Sequence, residues 1–247
     1  MANKKRLDHL LLEHGFAPSR EKAQALILSG LVLVNDRPAE KAGLQVAVDA
    51  AIRLRGEVPR FVSRGGDKID PALDYFKVAV NAVVALDIGA STGGFTDCLL
   101  QRGAARVYAV DVGFNQLHYK LRQDSRVVVM EKTHAVNLRA EQFPAPPSLA
   151  VIDVSFIGLR KVLAPVLHVM RQPAVIVALV KPQFELGPEH VSKGGVVKSK
   201  ELQLEAVRLV EAYGAELGLT SNGCFASPVK GAKSGNQEYF VCLRSGG

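Results

Sequence analysis

Cysteine is scarce in this chain. Its 247 residues include three, Cys98, Cys224 and Cys242, odd in number, widely spaced and without a C-x-x-C pair. Neither a disulfide framework nor a cysteine zinc site is indicated, and a reducing compartment fits best. The six histidines form no H-x-H or H-E-x-x-H pair, so no metal centre is expected. Long apolar runs are also missing: the longest, AVIVALV at 174–180, is far below the roughly 18 residues that span a bilayer. The N-terminal apolar run is too short and too interrupted for a signal peptide. A cytoplasmic protein without stable membrane association is expected.

What the chain does have is a large apolar share, 48%, enough for a substantial core. It also has a surplus of positive charge, 31 Lys+Arg against 24 Asp+Glu, giving +7. Such a balance favours a polyanionic partner without naming one. Two grammars follow each other along the chain. In the first sixty residues, Leu7, Leu10 and Leu11 keep helical spacing to Gly15, and Pro18-Ser19 offers a cap for a second helix with Ala23, Leu26 and Ile27 as its buried stripe. LVLVNDRP then alternates as a strand entering a tight turn at Asn35-Asp36. Lys4, Arg6, Arg20 and Lys22 cluster near the helix starts, where backbone N–H groups already favour phosphate.

From Val83 onward, short apolar runs alternate with helical segments: VVALDIG, RVYAVDVG, RVVVMEKT, LAVIDVSF and AVIVALVKP. Strands apolar on both faces and separated by crossover lengths predict a parallel α/β sheet with helices on both sides. Near the C-terminus LTSNGCFASPV and EYFVCLRS read as a final antiparallel addition. Between the two grammars lies FVSRGGDKID, residues 61–70, which reads as a glycine hinge leading into an amphipathic helix capped by Asp67 or Asp70.

Chemistry is concentrated at the strand ends. The first turn, D-I-G-A-S-T-G-G-F-T from Asp87, has neither the spacing of the dinucleotide fingerprint nor a Walker lysine. Its glycines still let a ligand approach the backbone, and Asp87 can accept a hydrogen bond from an ammonium group. Asp111 ends the next strand, where an acid commonly takes ribose hydroxyls, and Asp153 is the strand-end carboxylate after that. Together the glycine turn and these acids resemble the S-adenosylmethionine site of class I methyltransferases. Methylation of base amino groups commonly uses (N/D)-P-P-(Y/F), but the chain reads D-V-S-F at Asp153. No cysteine lies in a Pro-Cys strand end, which disfavours cytosine C5 chemistry. Lys181 ends AVIVALV, where a lysine can hold or accept a proton.

G-F-A-P-S-R-E-K-A followed by I-L-S-G-L-V-L-V-N-D resembles the S-four (S4) RNA-binding domain. With F-V-S-R-G-G-D-K, D-I-G-A-S-T-G-G-F-T, D-V-G-F-N-Q-L, D-V-S-F-I, K-P-Q-F-E and S-P-V-K-G-A-K-S-G-N-Q-E, the whole chain resembles the hemolysin A family, itself similar to FtsJ-type ribose 2′-O-methyltransferases. The resemblance implies an S4-like RNA-binding domain over 1–60, a linker and leading helix carrying Lys68 over 61–82, and a methyltransferase domain with a mostly parallel, Rossmann-like seven-stranded sheet over 83–247. It further implies a catalytic tetrad of Lys68, Asp153, Lys181 and Glu238, and S-adenosylmethionine held by Asp87, Gly89, Ser91, Thr92, Gly93, Gly94, Phe95, Asp111, Val112, Thr133, His134 and Asp153. Lys4, Arg6, Arg20, Lys22 and Arg64 would contact RNA, and ribosomal RNA or a ribosomal subunit would be the partner. The chain departs from the family's T-N-x-R after the third strand, reading T-H-A-V from Thr133. The competing functions are a noncatalytic ribosome-assembly factor and, below it, a membrane-active hemolysin.

Overall fold

The computed structural model describes residues 4–55, 60–231 and 235–246. Two compact units divide the chain, Met1–Pro59 and Arg60–Gly247.

In the smaller unit, β1 (Lys4–Arg6) pairs antiparallel with β4 (Gln45–Ala47). Helices α1 (Leu7–Glu13) and α2 (Arg20–Leu28) lie between them in sequence, and a three-stranded sheet is built from β2 (Val32–Val34), β3 (Arg37–Pro38) and β5 (Ile52–Leu54). The expected stripe is the core: Leu7, Leu10, Leu11, Ala23, Leu26 and Ile27 are buried together with Val32. Ser19 caps α2 through the Lys22 amide at 3.2 Å. Asn35 and Asp36 both have positive φ, 49° and 63°, as a two-residue hairpin turn between β2 and β3 requires.

The larger unit begins with α3 (Arg64–Tyr75), so the helix carrying Lys68 is part of it. β6 (Val84–Ile88), α4 (Gly94–Gln101), β7 (Arg106–Val110), α5 (Tyr119–Arg122) and β8 (Val127–Met130) follow. Then come β9 (Leu149–Ile152), α6 (Leu163–His168), β10 (Val175–Val180), α7 (Pro182–Glu185), α8 (Lys200–Glu216), β11 (Leu219–Ala226) and β12 (Tyr239–Ser245). One seven-stranded sheet has the order β11-β12-β10-β9-β6-β7-β8. β10, β9, β6, β7 and β8 run parallel, and β12 is inserted antiparallel between β10 and β11. Successive residues on β6 serve opposite faces: Leu86 and Ile88 join one buried cluster, Ala85 the other. That two-sided burial is why the strands read as continuous apolar runs. Chain direction reverses its progress across the sheet between β6 and β9, and a crevice at the strands' carboxyl ends is the usual ligand site at such a switch point. Among the described residues no helix is long and apolar enough to cross a membrane.

Candidate active site

Four charged side chains meet at that crevice from one helix and three neighbouring strands. Asp153 follows β9 and Lys181 follows β10, and the Ala178–Ile152 register sets the two ends side by side. Glu238 precedes β12, whose Tyr239 pairs with Val180, so it arrives next to Lys181 along the chain ends. Lys68 comes from the second turn of α3. Lys68 Nζ donates to Glu238 Oε2 at 2.6 Å, both side chains being buried. Lys181 Nζ lies 2.5 Å from Asp153 Oδ1 and donates to Ser155 Oγ at 2.8 Å. The Asp153 contact is an ion pair without hydrogen-bond alignment, which leaves that carboxylate oxygen without a directed donor. Pairing each buried cation with a carboxylate is what makes burial tolerable for both.

Glycines place Lys68. Gly65 and Gly66 form the first turn of α3, not a hinge, and Ser63 is the cap, its hydroxyl accepting from the Gly65 amide at 3.4 Å. The expected caps do other work: Asp70 binds Arg60 and Arg102, and Asp67 lies exposed in the first turn. A Cβ on Gly94 would lie 2.8 Å from the Gly66 amide nitrogen and 2.9 Å from Gly65 Cα, so the starts of α3 and α4 touch through bare backbone. Arg102 of the segment after α4 donates to Asp70 at 2.7 Å and Asp74 at 2.8 Å, fixing the same pair of helices farther along. Buried Asp97 accepts from the Val62 amide at 2.9 Å and holds the bend that leads into α3.

A cleft of about 230 Å³ opens beside the tetrad. Lys68 and Asp153 line it, with Gly89, Ser91, Thr92, Gly94 and Phe95 of the glycine turn and with Arg64. Gly89 has φ +84°, and a Cβ there would collide with the Asp153 carbonyl oxygen. The turn is thereby pressed against the strand end that carries Asp153. Gly93 (φ +95°) stands behind the turn against Leu121 and Leu117.

Asp87 lies fully buried beneath the turn. Thr96 Oγ1 donates to its Oδ2 at 2.6 Å, whereas Oδ1 has no partner. Burial pushes its carboxyl up to about 7, opposed by the Thr96 hydrogen bond and reinforced by the charges of Asp153 and Asp111. A buried acceptor with no donor fits a ligand ammonium, or a water held by one. Asp111 is already engaged: its oxygens accept from the Ser91 amide at 2.8 Å and the Gly113 amide at 2.7 Å. It therefore shapes the turn as well as offering its remaining lone pairs to a ribose. Val112 is exposed beside it, the Thr133 amide donates to the Asp111 carbonyl at 2.9 Å, and His134 is exposed; these three, like Asp87, Gly93 and Asp111, are not in the lining of the cleft.

Three residues near the site fall within the motifs D-V-S-F-I and K-P-Q-F-E but carry no role there. Ser155 holds Lys181. Phe156 has φ +65° and is 85% exposed, with its ring 5.3 Å from that of Phe184. Glu185 accepts from the Leu159 amide at 2.8 Å, and burial pushes its carboxyl up to about 7. A left-handed, exposed aromatic is visible only once the backbone is known.

In the smaller unit, two of the expected RNA-binding residues have an internal role. Fully buried Asp8 accepts from Arg6 at 2.9 and 2.8 Å, from Arg20 at 3.1 Å and from Gln24 at 3.0 Å. The Arg6 hydrogen bond, chiefly, holds its carboxyl well below the usual carboxylate range. Lys4 is exposed, Lys22 is half-buried, and in the larger unit Arg64 is exposed.

A Rossmann-like sheet with a glycine turn, strand-end acids and a switch-point cleft defines a class I methyltransferase fold. More narrowly, the chain belongs to the FtsJ-like methyltransferase family, which residues 61–245 match, and residues 5–52 match the S4 domain. It is 45% identical over 246 residues to the Mycobacterium tuberculosis protein named 16S/23S rRNA (cytidine-2'-O)-methyltransferase TlyA, covering 99% of this chain and 91% of that one. It is 40% identical to a Brachyspira hyodysenteriae protein named Hemolysin A, covering 96% and 98%. A solved structure from Streptococcus thermophilus, provisionally named a hemolysin, superposes with a TM-score of 0.75 at 40% identity, covering 99% of this chain and 90% of that one. Fold and family imply use of S-adenosylmethionine.

Proposed function

We propose that this chain transfers a methyl group from S-adenosylmethionine to ribose 2′-hydroxyls of ribosomal RNA in the cytosol, with cytidine as the target nucleoside after the name of its mycobacterial relative. The observation that carries the reading is the pair of lysine–carboxylate contacts, Lys68–Glu238 and Lys181–Asp153, at the cleft beside the glycine turn. When bound, S-adenosylmethionine supplies an activated methyl on a sulfonium. The glycine turn leaves its backbone open to that group, and Asp87 beneath it would help hold the ammonium, directly or through water.

A ribose hydroxyl is a weak acid, so the protein's task is alignment and management of one proton. Lys181 Nζ, the cation of the ion pair with Asp153, would have to enter the step as the neutral amine, and would then take the hydroxyl proton as the ribose oxygen is methylated. Asp153 at 2.5 Å offsets the ammonium charge so formed. Lys68, held by Glu238, stabilises the charge developing on the oxygen. A positioned general base contributes about 3–5 kcal/mol, the 10²–10⁴-fold typical of such groups.

The S4-like unit, through Lys4, Lys22 and the outer edges of Arg6 and Arg20, holds the RNA backbone, and Arg64 at the cleft mouth takes a phosphate near the reacting ribose. Labelled S-adenosylmethionine offered with ribosomal subunits tests the reading. Transfer that disappears in Lys181→Ala while S-adenosylhomocysteine still binds supports it. RNA binding with no transfer by the wild type would leave an assembly factor.

A further inference from the structure

We propose that Ser155 is a positioning residue for Lys181, fixing the orientation of its Nζ so that the remaining tetrahedral position faces the substrate hydroxyl. This rests on the methyl-transfer reading above. The Lys181 nitrogen carries Cε and three further positions. Asp153 attracts one N–H at 2.5 Å, but this ion pair has no hydrogen-bond alignment and charge attraction alone does not set direction. The Ser155 Oγ contact at 2.8 Å is the aligned hydrogen bond that Lys181 makes among the described residues. Ser155 directs one N–H, the Asp153 charge draws a second toward its side of the same loop, and one position is left for the lone pair that takes the proton, or for the N–H that results. A neutral amine and an ammonium each retain an N–H for Ser155, so the orientation persists through the proton transfer.

The loop is built to hold Ser155 there. Phe156, next in the chain, is kept at φ +65° although its side chain is 85% exposed, so side-chain burial does not explain that backbone. The Leu159 amide is anchored on Glu185 at 2.8 Å, in the short helix that directly follows Lys181. A Cβ on Gly158 would lie 3.2 Å from the Phe184 carbonyl oxygen of the same helix, another close approach. The segment carrying Ser155 and the segment carrying Lys181 are thus tied to each other as well as to the sheet.

The test compares wild type, Ser155→Ala, Ser155→Thr and Lys181→Ala in single-turnover and steady-state methyl transfer, with S-adenosylhomocysteine affinity and thermal unfolding measured alongside. Ser155→Ala is expected to lower kcat between about 10-fold and 10²-fold, the cost typical of a misplaced catalytic group. KM for RNA, cofactor affinity and the unfolding midpoint should stay unchanged, and Ser155→Thr, which keeps the hydroxyl, should restore most of kcat. A Ser155→Ala kcat within twofold of wild type overturns the inference, as does equal loss in the alanine and threonine variants. Absence of transfer by the wild type removes the functional reading and this inference with it.

Discussion

Asp87 sets stability against ligand binding in a way that one substitution exposes. In the folded, cofactor-free protein its carboxyl is pushed up to about 7, chiefly by complete burial, while an unfolded aspartate titrates near 3.9. Between those values the unfolded chain has released its proton and the folded one has not. Stability therefore falls as pH rises from about 4 to about 7 and levels off above that. At 1.36 kcal/mol per unit, the fall between pH 5 and pH 8 is about 3 kcal/mol. Asp87→Asn cannot ionise, so it escapes this fall, although its buried amide, with no acceptor provided, costs about 1–3 kcal/mol at every pH. The difference in urea unfolding free energy between variant and wild type should thus shift by about 3 kcal/mol in the variant's favour on going from pH 5 to pH 8. Calorimetric titration with S-adenosylhomocysteine should show the opposite ranking, the variant binding at least tenfold more weakly at pH 8. Identical pH dependence of stability in the two proteins would refute the account of Asp87 as a strained, ligand-awaiting acid.

Gly94→Ala should lower stability by about 1–3 kcal/mol and reduce transfer, because its Cβ meets the backbone of Gly65 and Gly66 and must push the helix carrying Lys68 away; unchanged melting and activity would contradict that packing. Native-state alkylation should modify Cys224 before Cys98 and Cys242, since both of the latter are buried and the Cys98 thiol is pushed up to about 12 by desolvation; mass spectrometry of peptides reads the order. Asp8→Asn in the full chain should speed amide exchange at Leu26 and Ile27 by about 10-fold, the ~1.5 kcal/mol expected when half-exposed Arg6 and Arg20 lose charge-assisted hydrogen bonds to a buried carboxylate. Because the Asp8 carboxyl is held low, its contribution in the wild type is present above about pH 4 and lost as pH falls below that.

The larger fold was legible because parallel strands buried on both faces end abruptly in charge. Asp153 and Lys181 each follow an uninterrupted apolar run and Asp87 interrupts one at its last-but-one position; each alone reads as a cap or turn residue, and their recurrence at successive strand ends is what pointed to a ligand crevice. The resemblance then supplied Lys68 and Glu238, which periodicity alone did not bring together: they are 170 residues apart in sequence and 2.6 Å apart at their hydrogen bond. What stayed hidden depended on third dimensions that one-dimensional patterns lack. Gly65-Gly66 reads as a hinge because glycine disfavours helices, yet the pair opens a helix: a Cβ on Gly66 would collide with the Phe61 side chain, and the backbone of both packs against Gly94. Arg6 and Arg20 read as RNA contacts because nothing in the sequence says that Asp8, near Arg6 and far from Arg20 in the chain, is buried between them. Ser155 stood inside the D-V-S-F-I motif without a role of its own, since a serine in a strand-end loop is ordinary until its hydroxyl is found on the Lys181 amine.

The most direct test of the whole account is the chemical position of the transferred methyl. Purified protein, labelled S-adenosylmethionine and ribosomal RNA or subunits are incubated, the RNA is digested to nucleosides, and the label is located by mass. The account predicts label on ribose as 2′-O-methylcytidine with the wild type and none with Lys181→Ala. Label on a base nitrogen or carbon, or transfer that survives loss of Lys181, would contradict it.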